Sequence, residues 1–160
     1  MSYFDENYKK RNTPFVVEPA MGADRSALAF LSDAYDEEGK DKDKRVVLRF
    51  HPDIAPNKVA VLPLSRNEKL TPTARKIYEN ISKKYNAEYD DTQSIGKRYR
   101  RQDEIGTPVC ITVDFDTVEN DNCVTIRNRD TMEQIRVNID SIDKNVNIVL
   151  EQISKNSSNS

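Results

Sequence analysis

The sequence predicts an α/β fold, a mixed five-stranded sheet flanked by helices and preceded by a short strand-helix segment. Three observations carry this. Lys58 to Leu64 (KVAVLPL) is a near-continuous apolar run, as in a strand buried on both faces of a parallel sheet. Between residues 58 and 106, strand-like and helix-like stretches alternate, the order of parallel strands joined by crossover helices. From residue 109 to 139, three stretches of period two follow one another with only polar turns between them, which predicts antiparallel strands at one edge.

Taken from the N-terminus, Phe15 to Glu18 suits a short strand, Gly22 a turn, and Ala27, Leu28, Phe30, Leu31, Ala34 and Tyr35 one face of a helix beginning at Ala23. Asp36 to Lys44 is almost wholly charged around Gly39 and reads as a flexible surface loop. Residues 1–45 thus form a first segment, and 46–57, an apolar run broken by Pro52 and Pro56, a connection. The main domain spans 58–155. Thr71 can cap a helix with Pro72 in its first position and Ala74, Ile77, Ile81 and Tyr85 on one face. Ala87 to Asp90 is a short strand; Ser94 to Glu104 is a second helix, with Ile95 and Tyr99 toward the core, ended by Gly106 and Pro108. Val109 to Phe115 alternates as a strand, Asp116 to Asn122 turns the chain, and two strands follow around Val124 and Ile126 and from Ile135 to Ile139. Asp140 or Ser141 caps a last helix whose inward face is Ile142, Val146, Val149, Leu150 and Ile153. It should fray from Ser154, with a disordered tail at 156–160. The helices could make a two-layer or a three-layer domain, with right-handed crossovers.

The 160 residues carry 25 Lys and Arg against 27 Asp and Glu, a net charge of −2, which excludes a protein that coats nucleic acid through a broad basic surface. Any RNA contact must be local, and no DNA partner is expected. Cys110, Cys123 and the single His51 do not supply the clustered ligands of a zinc site, so no metal is expected. His51 has no visible nucleophile to serve. No stretch approaches the roughly 20 apolar residues of a membrane span, and the first residues lack the apolar core of a signal peptide. A cytoplasmic protein with reduced thiols and no membrane partner is the expectation.

Two constellations carry chemistry. In VVEPAMGADR, Val16 to Arg25, an acid at a strand end precedes a Gly turn and an arginine at a helix start. This resembles the third signature motif of class II aminoacyl-tRNA synthetases. The resemblance implies that Arg25 contacts ATP, where a guanidinium can stack on a purine or bind phosphate oxygens. It also implies that Glu18 receives the amino group of glycine, although Ala20 stands where the glycyl pattern has serine. The alternative is that Glu18 and Arg25 are ordinary surface charges.

The second constellation is SIGKRYRRQDEIGTP, Ser94 to Pro108, with VCITVDFDT and TIRNRDTMEQIRV after it. Together these resemble the anticodon-binding domain of glycyl-tRNA synthetases from about Lys58 to Ile142, which implies the class IIa anticodon-binding fold and makes residues 1–45 a remnant of the catalytic domain. The cluster Lys97, Arg98, Arg100 and Arg101 around Tyr99 suits single-stranded RNA; the bland reading is a solvated helix face offset by Asp103 and Glu104. Every glycine anticodon carries two adjacent cytosines, whose edge calls for an acid to accept and an arginine to donate. Asp103, Glu104, Asp114 and Asp116 near Arg98, Arg100, Arg127 and Arg129 are the candidate reading pairs, with Lys97 and Arg101 on phosphates. The resemblance implies attachment of glycine to tRNA(Gly) with ATP and Mg2+ by a homodimeric parent. The first two class-defining motifs would lie upstream, and the chain alone should be inactive and bind no cofactor. The rivals are a threonyl, prolyl or histidyl sibling, and a non-enzymatic accessory protein reusing the domain.

Overall fold

The computed structural model describes residues 2–40 and 44–157, the last without its side chain. The chain opens with a hairpin, β1 (Tyr3–Asp5) and β2 (Lys10–Asn12), whose turn is held by Asp5 Oδ1 accepting the amides of Asn7 and Tyr8 at 3.0 and 3.2 Å. The predicted strand at Phe15 to Glu18 does not form. Pro14 and Pro19 bracket it, among the described residues no strand pairs with it, and Val17 is 87% exposed. The predicted helix does form, as α1 (Ala23–Ala34).

β3 (Tyr35–Glu38) follows α1 directly and pairs antiparallel with β4 (Arg45–Leu48), Glu38 opposite Arg45. The sequence predicts a loop over Asp36 to Lys44; its first residues are a strand instead, and residues 41–43 lie outside the described residues. The strand is built from charge pairs: Glu38 with Arg45 at 2.8 Å, Asp36 with Arg49 at 2.8 Å and Glu37 with Lys44 at 2.5 Å. Such pairing leaves no apolar periodicity to read.

The sheet consists of β5 (Val59–Pro63), β6 (Ala87–Tyr89), β7 (Val109–Val113), β8 (Cys123–Asn128) and β9 (Gln134–Asn138) in the order β6-β5-β7-β8-β9. β5 runs parallel to β6 and β7, while β8 and β9 are antiparallel additions at the edge. Between the parallel strands lie α2 (Thr71–Ile81) and α3 (Ile95–Ile105); α4 (Ile142–Ser157) closes the described chain. Thr71 is the first residue of α2 rather than its cap, with Leu70 at the cap and the Thr71 hydroxyl donating to the Asn67 carbonyl at 2.9 Å. A short 3-10 turn at Ile139–Ser141 leads into α4, which continues through Ser154 without fraying; residues 158–160 lie outside the described residues.

The layer count resolves to three. Val59, Val61, Val109, Ile111, Val124 and Ile126 point to one face and meet Ala74, Ile77 and Ile81 of α2 and Val146, Val149 and Ile153 of α4. Alternate residues Ala60, Leu62 and Cys110 point to the other face, under Ile95 and Tyr99 of α3. The end of α3 is fixed by Gly106, whose φ of 81° suits only glycine without strain, and where an added Cβ would stand 2.6 Å from Phe50 and 2.8 Å from the Leu48 carbonyl. The turn therefore also seats β4 against the main domain.

Candidate nucleic-acid interface

α3 covers only the β5–β7 half of its face of the sheet, so a cleft of about 370 Å³ remains beside it. α3 lends Gly96, Tyr99, Arg100 and Asp103; β8 lends Arg127 and the β8–β9 turn Met132; the β3–β4 hairpin lends Glu38, Gly39 and Arg45. The cleft is therefore walled partly by residues that precede the main domain.

Within this wall the charges are of two kinds. Asp103 is 2% exposed, and its oxygens accept from Arg127 at 2.9 and 3.1 Å and from Arg45 at 2.8 Å. Burial works against the charge on Arg45, yet Asp103 and Glu38 hold its pKa above the ordinary value. The Arg127 guanidinium lies 4.8 Å over the Tyr99 ring, whose hydroxyl is partnered with Thr112 and whose pKa is pushed up by burial. Against these fixed groups stands Arg100, with Lys97 near it on α3 but outside the cleft lining. Both are exposed, and neither side chain has a hydrogen-bond or ion-pair partner among the described residues. Gly96 has open space where a Cβ would point.

Several predicted RNA contacts are placed elsewhere by the structure. Arg98 is 1% exposed and donates to the carbonyls of Pro63, Asp91, Thr92 and Gln93, pinning the end of β5 to the loop before α3. Arg129 is equally buried and donates to the Gly106 carbonyl at 3.0 Å and to the Asp130 carboxylate. Arg101 is tied to Asp90 at 2.6 Å, and burial of Asp90 is outweighed by its bonds to Thr92 and Arg101, which lower its pKa. Glu104 is exposed on α3 but does not line the cleft; Asp116 accepts from Asn120 at 2.6 Å beyond the end of β7. Asp114 is engaged by Arg136. For the arginines and Asp114 the physical reason is shared: a guanidinium that can satisfy several carbonyls or a carboxylate at once is a brace, and the linear sequence does not show which partners the fold will bring.

The sequence reading missed Glu38, Gly39, Arg45, Met132 and Gly96. One signal was available for the hairpin, the match of Asp36 and Glu38 with Arg45 and Arg49 around a Gly turn. Met132 carried none; it sits at φ 59° in the β8–β9 turn and is 49% exposed.

Away from the cleft, Glu18 is exposed in the irregular segment and Arg25 is exposed in the first turn of α1. His51 Nε2 lies 2.8 Å from the Ser154 hydroxyl, but Nδ1 accepts the Asp53 amide at 3.2 Å, so Nε2 is the donor and the ring cannot take the serine proton. Cys110 is a free thiol with its pKa pushed up to about 12 by burial, unsuited to nucleophilic attack. Among the described residues no group of three or more His, Cys, Asp or Glu could hold a metal ion, and no helix is long and apolar enough to cross a membrane.

With this geometry in view, comparison with known proteins is informative. Residues 58–147 match the family described as Anticodon binding domain. Among similar proteins, the glycine–tRNA ligase of Acetivibrio thermocellus is 62% identical over 143 residues, 89% of this chain and 30% of that protein. That of Clostridium acetobutylicum is 61% identical over 145 residues, 90% of this chain and 31% of that protein. This chain thus spans about a third of the length of these relatives. A solved structure, prolyl-tRNA synthetase from Cryptosporidium parvum complexed with L-proline and AMP, shares the fold, with a TM-score of 0.61 at 20% identity over 69% of this chain and 24% of that one. The chain belongs to the anticodon binding domain family, and its resemblance through the sequence is to that domain of glycine–tRNA ligases.

Proposed function

We propose that the cleft between α3, the β8–β9 turn and the β3–β4 hairpin binds the anticodon loop of tRNA(Gly), and that the chain serves this role within a glycine–tRNA ligase. One observation supports it above the others: the cleft combines the unpaired cation Arg100 with an arginine-backed tyrosine inside the matched domain, and the unpaired Lys97 follows the cleft residue Gly96 on α3. Single-stranded RNA needs that combination, cations for phosphates and a flat surface with hydrogen-bond donors for unstacked bases. Arg127 serves from its braced position, while Arg98, Arg101, Asp103 and Arg129 hold the frame. Glu104 and Asp116 lie at the periphery.

In the same reading, Glu18 receives the amino group of glycine and Arg25 contacts ATP, with Mg2+ at the phosphates, when the rest of the ligase is present. In this reading the whole enzyme is a homodimer through its catalytic domain, and it works in the cytoplasm, where both the substrate tRNA and the ribosome it supplies are found.

Fluorescence anisotropy with a labelled anticodon stem–loop tests this. Arg100→Ala should weaken binding about tenfold and reduce the preference for the glycine anticodon, as expected for a group near a base edge. Lys97→Ala should weaken all loops by a similar, smaller factor and lower the salt slope by about one ion. If both variants bind all loops as the unaltered chain does, RNA lies elsewhere.

A further inference from the structure

The geometry points to Glu38, which precedes the matched domain, as the specificity-determining acid of the cleft: its carboxylate accepts the exocyclic amino group of an anticodon cytosine. This rests on the cleft being the anticodon site. The inference starts from which acids remain able to accept. Asp103, the other carboxylate in the wall, already takes three donors from Arg45 and Arg127 and is 2% exposed, so no base can reach it. Asp114 and Asp116 lie at the far end of β7, the first engaged by Arg136 and the second by Asn120, and Glu104 does not border the cleft. Glu38 borders it and keeps 36% of its side chain exposed.

Its position is also fixed. Arg45, opposite Glu38 in the β3–β4 register, donates to one oxygen at 2.8 Å, and Arg49 donates to the other. Each carboxylate oxygen has a second lone pair, so both can still accept from a base. Arg45 in turn is locked to Asp103, which holds Arg127 over Tyr99. The hairpin acid is thereby set rigidly against the α3 wall, where Arg100 offers unoccupied donors.

The pair matches cytosine and rejects uracil. Cytosine presents an amino donor beside ring-nitrogen and carbonyl acceptors, which suit Glu38 and Arg100 respectively. Uracil presents a carbonyl oxygen where cytosine has the amino group, and a carboxylate facing that oxygen is repulsive. Discrimination here comes as much from rejecting uracil as from binding cytosine.

The test uses the whole chain and anticodon stem–loops in which each of the two adjacent cytosines is replaced in turn by pyrimidin-2-one, which lacks only the amino group. The unaltered chain should bind one of these loops about tenfold more weakly than the parent loop. Glu38→Ala, which removes every acceptor, should bind the parent loop about tenfold more weakly and should no longer distinguish it from that modified loop, while both proteins bind the modified loop alike. Equal binding of parent and modified loops by the unaltered chain overturns the assignment without any variant, so a folding defect in Glu38→Ala cannot protect it. So does a tenfold preference that survives in Glu38→Ala. If the unaltered chain also fails to distinguish a loop with a scrambled anticodon, the anticodon reading of the cleft falls with it; if it does distinguish that loop, only the role of Glu38 falls.

Discussion

On one side of the sheet, Val59, Val61, Ile111 and Ile126 meet the isoleucines and valines of α2 and α4 in an aliphatic contact that needs only shape and volume. On the other, Ala60, Leu62 and Cys110 give way along β7 to Thr112 and across β8 and β9 to Arg127 and Arg136, and α3 is held down by arginines with named partners. The aliphatic face is tolerant, because dispersion and apolar burial are non-directional and sum over many atoms. The α3 face is directional, because each buried guanidinium must find its acceptors or remain charged and unpaired. A cleft for RNA can be built only on the second kind of surface, where polar groups are already desolvated and fixed.

The comparison breaks most easily at Asp103. Asp103→Asn leaves Arg127, its side chain 6% exposed, without its counter-charge and Arg45, its side chain 10% exposed, with Glu38 alone. We expect a loss of about 3–5 kcal/mol in urea unfolding. Replacing the three together, Asp103→Leu with Arg45→Met and Arg127→Met, should recover stability to within about 1 kcal/mol, since a buried ion triad is often no more stabilising than apolar residues of similar volume. It should nevertheless abolish anticodon binding. If Asp103→Asn unfolds like the unaltered chain, directionality is not what distinguishes this face.

On the aliphatic face the response should be smaller and silent in function. Ile111 is fully buried among β5, β8, α2 and α4, and Ile111→Val should cost about 1 kcal/mol for the one methylene removed. Stem–loop affinity should not change. A parallel fall in affinity would show that the two faces are mechanically coupled through β7.

The same contrast explains what was legible in the sequence. The aliphatic face announces itself: KVAVLPL and the alternating Val109, Ile111 and Val113 predict strands because apolar burial leaves a period in the chain. Gly106 and Pro108 mark the end of α3 for equally local reasons. The α3 face leaves no such trace. Arg98 and Arg100 stand two apart in one basic run, yet one is a buried brace and the other an exposed cation, since helical geometry turns them to different sides. The β3–β4 hairpin was hidden because cross-strand ion pairs put charge on a strand, and Phe15 to Glu18 misled because strand propensity means little where no neighbour is available. The cleft acid Glu38 was out of reach for a further reason: it joins the site through a hairpin outside the domain that the basic run marks.

The smallest expected effect sharpens the contrast within the α3-facing side itself, between buried and surface charge. Asp114 accepts from Arg136 at 2.7 and 3.0 Å and from the Thr117 amide and hydroxyl, both at 2.8 Å. Arg136 above all, with Thr117, holds its carboxyl at about 2 against an ordinary 3.8. Because the folded-state pKa is the lower one, the unfolded chain takes up the proton first as the pH falls. The stabilisation is therefore fully present above about pH 4 and lost as the pH falls through about 2. Arg136 is 34% exposed and also bound to Asp121, so solvent screens the pair and the contribution should be only about 1 kcal/mol. Asp114→Asn should thus unfold about 1 kcal/mol more easily than the unaltered chain near neutral pH, the difference shrinking toward zero near pH 2 and falling with added salt. Asp121 remains on Arg136 in both proteins, so its own titration largely cancels in that difference. A difference that stays constant across the pH range would mean that Asp114 contributes through its hydrogen bonds to Thr117 alone, and that even the exposed end of this face is held by direction rather than by charge.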